Sequence, residues 1–168
     1  IWKKDEVDTP AFRSFIQQAV EAHIVQAKKE KANPEDLMPW KQLGRKWHLL
    51  KKSVPKGADW DFKTVDKLLK VVEAGFASHT IDFSSRIKIA WADATTGDPV
   101  AELHTKRTNA VELHVFVPRD SITVGAVAEF GQSQKVTPRK DGSDAVCLSF
   151  VSPDQVTSGL KKWIAGFS

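Results

Sequence analysis

Residues 101–117 read AELHTKRTNAVELHVFV, and their alternation of apolar and polar side chains is the strongest structural signal in the sequence. Apolar residues occupy every second position on both sides of a polar break at residues 106–109. Successive side chains of a β-strand point to opposite faces of a sheet, so this pattern predicts two antiparallel strands joined as a hairpin. The apolar face consists of Ala101, Leu103, Val111, Leu113, Val115 and Val117.

One register keeps the apolar side chains of this hairpin together. It pairs Leu103 with Leu113 and Ala101 with Val115. Directly opposed side chains in a sheet interact, and a slip by one residue would move each of them to the other face. The sequence therefore predicts both the hairpin and its register.

The same register places four polar residues on the other face, with Glu102 opposite His114 and His104 opposite Glu112. Imidazole and carboxylate groups are common metal ligands and acid–base catalysts. They also form cross-strand ion pairs, each contributing a few tenths of a kcal/mol. We interpret the four residues as ion pairs, expect no cofactor, and keep a metal site at His104, His114, Glu102 and Glu112 as the alternative.

Helical spacing of apolar residues predicts three helices. The first begins at Thr9-Pro10 and ends before Asn33-Pro34, because a residue that precedes proline avoids the helical region. The second is capped by Asp59 or Asp61 and has Gly75 as its C-cap. The third follows the capping-box pattern of residues 152–155, in which Gln stands three residues after Ser.

Further alternating stretches add strands to the hairpin. Residues 87–91 and 146–150 each alternate apolar and other side chains, whereas Ser121–Gly131 fits a short helix or a strand. Helices, then strands, then a helix indicate an α+β fold, with an antiparallel sheet of about four to five strands and helices on one face. We expect residues 1–33 to form an N-terminal helical arm and residues 34–168 a single α+β domain.

The composition fits such a domain. The chain has 168 residues, of which 41% are hydrophobic and 27% charged, enough for one real core. No apolar run approaches the roughly 18 residues that a membrane span needs, and no secretory leader opens the chain. A single cysteine, Cys147, fits a reducing compartment, so we expect a cytoplasmic protein. The chain begins at Ile1 in mid-pattern, and we interpret it as part of a longer or processed protein.

The basic character of the chain is concentrated at residues 40–56, WKQLGRKWHLLKKSVPK, which we name the Trp segment. It holds six cations, two indoles and no acid. The whole chain has 25 Lys and Arg against 21 Asp and Glu, a net charge of +4, so removing the +6 of this segment leaves −2. Gly44 and Pro55 favour a loop or short irregular structure, with a strand at Lys46–Lys51 as the alternative.

Cations interleaved with aromatic rings are typical of polyanion-binding surfaces, because cations displace counterions from phosphates and flat rings stack on bases. The opposing interpretation makes the two tryptophans core or lid residues and the cations a solvated cover. The candidate nucleic-acid-binding residues are Trp40, Lys41, Arg45, Lys46, Trp47, His48, Lys51 and Lys52.

Familiar catalytic motifs are absent from the sequence. It contains no Gly-x-Ser-x-Gly, Walker, Gly-x-Gly-x-x-Gly, His-Glu-x-x-His or Cys-x-x-Cys pattern. Cys147 lies in an apolar strand, where a thiol is usually an inert small hydrophobe. We therefore expect a non-catalytic domain, with a small metalloenzyme as the alternative.

The stretch PEDLMPWKQLGRKWHL at residues 34–49 resembles a segment in a C-terminal extension of some bacterial UvrA-like proteins, the damage-recognition ATPases of nucleotide excision repair. The likeness continues through Lys52-x-x-Pro55-x-Gly57, Trp60-Asp61, residues 104–106 and 110–113, and residues 145–148. It covers most of the chain from about residue 34. The C-terminal half also resembles an uncharacterised α+β domain family.

This resemblance implies a DNA-repair setting, an ATP-driven parent protein and double-stranded DNA as the partner. The nucleotide motifs and zinc-binding cysteine pairs of UvrA-like cores are absent here, so no catalytic residue carries over. We expect an accessory domain that binds DNA through the Trp segment. The alternative is a docking module that binds the rest of a larger UvrA-like chain or another repair subunit, with the indoles as interface anchors.

Overall fold

A computed structural model of the protein describes Pro10, Ser14 and residues 16–21 and 38–167. The chain divides into two compact units, residues 1–38 and 39–168. Within the first unit, every described residue from Pro10 to Glu21 is helical, as the sequence predicts. The remainder of that predicted helix, with His23, lies outside the described residues.

The second unit has an α+β fold built on a six-stranded sheet, which confirms the predicted class and adds to the expected number of strands. The spatial order is β1-β2-β3-β4-β6-β5, and every neighbouring pair is antiparallel. The strands are β1 Thr80–Asp82, β2 Lys88–Ala92, β3 Pro99–His104, β4 Val111–Pro118, β5 Ser133–Pro138 and β6 Ser143–Phe150.

The two outermost strands, β1 and β5, are the ones that apolar alternation did not indicate. Strand β1 has only three residues, and β5 reads SQKVTP, which is mostly polar. An edge strand pairs on one side only and presents polar or charged side chains to solvent. Its sequence therefore lacks the apolar alternation of an inner strand.

The central hairpin has the predicted register. Leu103 pairs with Leu113 and Ala101 with Val115. All four side chains are fully buried. The apolar face of the hairpin thus lies in the core, and its polar face lies on the opposite side of the sheet.

Four α-helices are described in the second unit, together with three short 3₁₀ turns. They are α1 Pro39–Leu43, α2 Arg45–His48, α3 Lys63–Gly75 and α4 Ser158–Ala165. The turns lie at Lys51–Ser53, Val124–Val127 and Pro153–Gln155. Short helical pieces therefore replace the strand proposed as an alternative at Lys46–Lys51, and the ambiguous stretch Ser121–Gly131 contains a 3₁₀ turn.

The predicted side-chain caps form hydrogen bonds near the helix starts, but one of them caps a different element. The Asp61 carboxylate accepts a hydrogen bond from the backbone N–H of Lys63 at 2.9 Å, at the start of α3. The Gln155 side chain accepts the N–H of Ser152 at 3.3 Å, but this capping box begins a 3₁₀ turn. Helix α4 begins afresh at Thr157, whose hydroxyl accepts the N–H of Leu160 at 3.4 Å.

The sequence predicts Gly75 as the C-cap of α3. In the structure Gly75 is the last helical residue, and the C-cap is Phe76. A Cβ atom at Gly75 would lie 2.5 Å from Cγ2 of Ile164 on α4. Glycine is needed here because the two helices approach closely, not because the backbone turns.

Helices α3 and α4 cover the apolar face of the sheet. Leu68, Leu69 and Val72 of α3 and Leu160 and Ile164 of α4 are fully buried in one cluster with the inward-facing strand residues. The other face carries Glu102, His104, Glu112 and His114, which are half-buried, and we name it the open face. Among the described residues, no helix has the length and apolarity required to cross a membrane.

The link between β5 and the preceding turn depends on Gly131, whose φ is +74°. A Cβ atom there would lie 2.3 Å from the carbonyl oxygen of Ser149, which accepts the N–H of Gln132 at 2.6 Å. Gly97 has a similar φ of +77°, but a Cβ atom would meet nothing within 4 Å. Gly97 is therefore a matched control for backbone strain without a clash.

We predict that Gly131→Ala lowers the free energy of unfolding by at least about 3 kcal/mol, because left-handed strain and a main-chain clash combine. Gly97→Ala should lower it by only about 1 kcal/mol, from left-handed strain alone. Urea denaturation followed by tryptophan fluorescence measures both. Equal losses in the two variants would contradict the close approach of Gly131 to β6.

Candidate functional site

The Trp segment folds back on itself at Gly44, which joins α1 to α2. Gly44 has a φ of +49°, its N–H donates to the carbonyl of Trp40 at 2.9 Å, and its own carbonyl accepts the N–H of Trp47 at 2.9 Å. These bonds bring the rings of Trp40 and Trp47 to a centroid distance of 6.0 Å at an angle of 58°. Both indoles are half-buried.

Arg45 fixes the segment to helix α3. Its Nε and Nη2 atoms donate to the two carboxylate oxygens of Glu73, at 3.0 and 3.1 Å. The hydrogen bond that Arg45 donates to Glu73 is also the main cause of the raised pKa of Arg45. A bidentate guanidinium–carboxylate pair fixes orientation as well as distance. The structure therefore gives Arg45 a positioning role rather than an open position for a ligand.

His48 fixes the other end of the segment. Its side chain is only 3% exposed, and its ring lies 6.4 Å from the ring of Phe83. Burial lowers the pKa of His48; the backbone of Phe83 opposes this shift, while the charge of Lys106 adds to it. No described residue gives either ring nitrogen a hydrogen bond of ordinary geometry. His48 is out of reach of a ligand at the surface, so we leave it out of the candidate interface.

Cations from three parts of the chain lie near the two indole rings. The ammonium groups of Lys52 and Lys106 lie 5.9 and 5.6 Å from the ring centre of Trp47. The guanidinium of Arg86 lies 5.7 Å from the ring centre of Trp40. A cation over an aromatic face within about 6 Å is held by the ring quadrupole, at about 0.5–1 kcal/mol for exposed sites. We name Trp40, Trp47, Lys52, Arg86 and Lys106 the indole–cation cluster.

Arg86 and Lys106 were missed in the sequence. Arg86 precedes β2, and Lys106 lies in the turn between β3 and β4, far along the chain from the tryptophans. The approach of Lys106 to Trp47 depends on the position of that turn, which is held by two hydrogen bonds. The Trp60 indole N–H donates to the carbonyl of Arg107, and the N–H of Asp59 donates to the carbonyl of Thr108, each at 2.8 Å.

The remaining predicted cations lie at the surface. Lys41, Lys46, Lys51 and Lys52 are all exposed. Within the described parts of the chain, no carboxylate lies within ion-pair distance of Lys46, Lys51 or Lys52. The positive charges of these three lysines are therefore available to an external anion.

Two cations of the cluster repel one another. Burial lowers the pKa of Lys106, and the nearby charge of Arg86 lowers it further. Like charges held close together and partly removed from water are relieved by an anion placed between them. The arrangement is therefore suited to binding a phosphate or a carboxylate.

The open face of the sheet brings together the second group of predicted residues. Glu102 stands opposite His114 and His104 opposite Glu112, as the register predicts. The hydrogen bonds differ from the expected cross-strand pairs, because each histidine bonds the carboxylate two residues away on its own strand. The Nε2–Oε2 distances are 2.8 Å for His104–Glu102 and 3.3 Å for His114–Glu112.

The two imidazoles instead contact each other across the strands. Their ring centroids are 4.4 Å apart and their planes differ by 27°. Burial lowers the pKa of His114, the neighbouring His104 lowers it further, and Glu112 opposes the shift. The stack occupies the space between the strands, which explains why each carboxylate pairs along its own strand.

Cations complete the ion pairs of the open face. Lys88 donates to Glu102, and Arg107 lies 3.4 Å from the Glu112 carboxylate. Burial opposes ionisation of Glu102, but hydrogen bonds from Lys88 and His104 outweigh it and lower the pKa. Across the described residues, no group of three or more His, Cys, Asp or Glu side chains is arranged to hold a metal ion.

Cys147 lies opposite His114 on β6. Burial raises the pKa of its thiol, and the charge of Glu112 raises it further. A raised pKa keeps the sulfur protonated and weakly nucleophilic. The surroundings of Cys147 thus give no support to thiol chemistry.

We found no match to this chain among protein-family models, curated proteins or solved structures. The indole–cation cluster and the open face therefore stand as candidate sites on the geometry of this chain.

We predict that His48 makes the stability of the domain fall in acid. Because burial lowers the folded pKa of His48, the unfolded chain binds more protons than the folded chain between the two pKa values. The stabilisation is fully present above the unfolded value of about 6.5 and is lost as pH falls below it. His48→Leu should therefore flatten the decline of unfolding free energy between neutral and mildly acidic pH.

Urea denaturation at a series of pH values tests this prediction. Leu49→Ala is the control, because Leu49 packs against the same core without titrating. It should lower stability equally at every pH and leave the slope unchanged. A slope that is the same in His48→Leu and in the unaltered protein would exclude His48 as a source of the acid sensitivity.

Proposed function

We propose that this domain binds DNA by its phosphate backbone, through the indole–cation cluster and the exposed lysines beside it. The observation that carries the proposal is the collection of Lys52, Arg86 and Lys106 around two adjacent indoles. Three cations from separate parts of the chain share one surface, next to Lys46 and Lys51. Multiple phosphate contacts of this kind supply most of the affinity in non-specific DNA binding.

The sequence favoured base stacking as the role of the indoles. In this proposal the indoles instead position the cations. Trp47 has two ammonium groups near its ring, and Trp40 has a guanidinium and Trp47 as neighbours. Stacking a base on either ring would compete with these cations. The rings hold the cations in position, and the cations contact phosphate.

Anchoring of the segment supports the same function. The Arg45–Glu73 pair and buried His48 fix the backbone that carries Lys46, Lys51 and Lys52. Cations held on a fixed backbone lose less freedom on binding than cations on a loose tail. The domain would contribute binding rather than catalysis.

The resemblance of residues 34–49 to UvrA-like proteins makes DNA the polyanion we favour and gives the domain a cytoplasmic, repair-associated setting. In that setting the rest of a larger UvrA-like chain is a further partner. The domain would add phosphate contacts to a larger DNA-binding surface.

A second candidate function is docking onto a protein partner. Leu43 is 39% exposed and lies in the same short helix as Trp40. Tryptophan and arginine are enriched among the residues that dominate the binding energy of protein interfaces. Such an interface would be much less sensitive to salt than phosphate binding.

We predict that Lys52→Gln combined with Lys106→Gln weakens DNA binding at low salt by at least about tenfold, because two phosphate contacts are lost. The slope of log affinity against log salt should shrink by roughly 0.9 for each lost contact. Fluorescence anisotropy with labelled DNA across a salt series measures both quantities. Lys161→Gln combined with Lys162→Gln is the matched control, because it removes the same charge from exposed positions on α4.

Equal losses in the two double variants would show that net charge, and not the indole–cation cluster, determines binding. No binding of DNA by the unaltered domain at low salt would refute the proposal and leave protein docking as the better candidate. Urea denaturation of each variant separates loss of binding from loss of folding.

A further inference from the structure

A cleft of about 290 Å³ opens beside the indole–cation cluster, lined by Ile87, His104, Lys106 and Arg107. It lies where β3 ends on the open face of the sheet. Lys106 belongs to both features, since its ammonium also lies 5.6 Å from the Trp47 ring. A ligand whose phosphates contact the cluster can therefore also reach this cleft.

The lining combines a flat ring, an apolar side chain and two cations. Ile87 is 51% exposed, although it is a large aliphatic residue. The His104 ring is braced by the His114 ring at 4.4 Å and by the Glu102 carboxylate at 2.8 Å. A braced ring needs little further ordering when another flat group stacks on it.

The carboxylates near the cleft already form ion pairs, so their repulsion of an anionic ligand is reduced. Glu102 is bonded to Lys88 and His104. Glu112 contacts Arg107 and His114. The Arg107 side chain is 61% exposed, so it remains accessible to a ligand at the surface.

We propose that the ligand is single-stranded nucleic acid and that one unpaired base enters this cleft. The base stacks on His104 and contacts Ile87, while Lys106 and Arg107 hold the phosphates on either side. Aromatic rings beside a basic groove bind single strands in this way, because every base presents a π-face. The paired bases of a duplex cannot leave their stack to enter the cleft without an unpairing cost.

This inference rests on the proposed function and sharpens it, since it replaces a duplex by a strand with free bases. Phosphates alone would be satisfied by the indole–cation cluster. The cleft adds a contact that only a base can make. An oligonucleotide without bases therefore separates the two ideas.

The experiment is an anisotropy titration of the full chain with four labelled probes of about 16 nucleotides, within the usual site size of single-strand binders. The probes are oligothymidylate, oligouridylate, an abasic strand and a duplex. We expect oligothymidylate to bind at least about fivefold more tightly than the abasic strand, the gain typical of one stacked base. Comparison of oligothymidylate with oligouridylate identifies DNA or RNA as the preferred strand.

Variants in the cleft test the base contact directly. His104→Ala and Ile87→Gln should lower the affinity for oligothymidylate to near that for the abasic strand, without changing the affinity for the abasic strand. His104→Phe keeps a flat ring and should retain the preference. Val124→Gln is the control for Ile87→Gln, because Val124 is also exposed, at 45%, and lies in the 3₁₀ turn Val124–Val127.

The outcomes are distinguishable. Equal, salt-sensitive binding of abasic and base-carrying strands, unchanged in His104→Ala, would overturn the base cleft and leave phosphate binding intact. Binding of the duplex above all other probes would also overturn it. Failure of every probe to bind at low salt would overturn both proposals together.

Discussion

The register of the β3–β4 hairpin is the constraint on which the rest of this structure depends. Pairing Leu103 with Leu113 puts one apolar face of the two strands into the core with helices α3 and α4, namely Ala101, Leu103, Val111, Leu113, Val115 and Val117. A strand alternates its side chains strictly, so the same pairing also determines what appears on the other face. The apolar core and the stacked histidines are thus two consequences of one alignment.

The turn of this hairpin links the core to both candidate sites. Its position is held by hydrogen bonds from Asp59 and Trp60, which precede helix α3. That position places Lys106 against Trp47 and Arg107 against Glu112. The indole–cation cluster and the cleft at His104 therefore lie side by side because one short turn supplies cations to both.

The Trp segment is anchored to the rest of the domain, but some of its buried polar atoms lack good hydrogen bonds. Arg45 and His48 anchor it, yet among the described residues the indole N–H of Trp47 and both ring nitrogens of His48 lack a hydrogen bond of ordinary geometry. Buried polar groups without partners reduce stability, by about 1–3 kcal/mol each. This segment consequently adds less to stability than its buried area implies.

The sequence by itself determined the α+β class, the hairpin and its register, and the approximate positions of α3 and α4. These features follow from local periodicity and from residues close in the chain. It did not indicate β1 or β5, because an edge strand needs no apolar alternation. It also placed Arg45 and His48 at the surface of the Trp segment, since a run of charges does not show which member pairs with a distant acid or enters the core. The folded chain alone shows that Glu73 binds Arg45, that Arg86 and Lys106 lie near the indoles, and that the histidines stack on each other. Those contacts join residues far apart in sequence, and their geometry depends on how the sheet, the turn and the helices pack together.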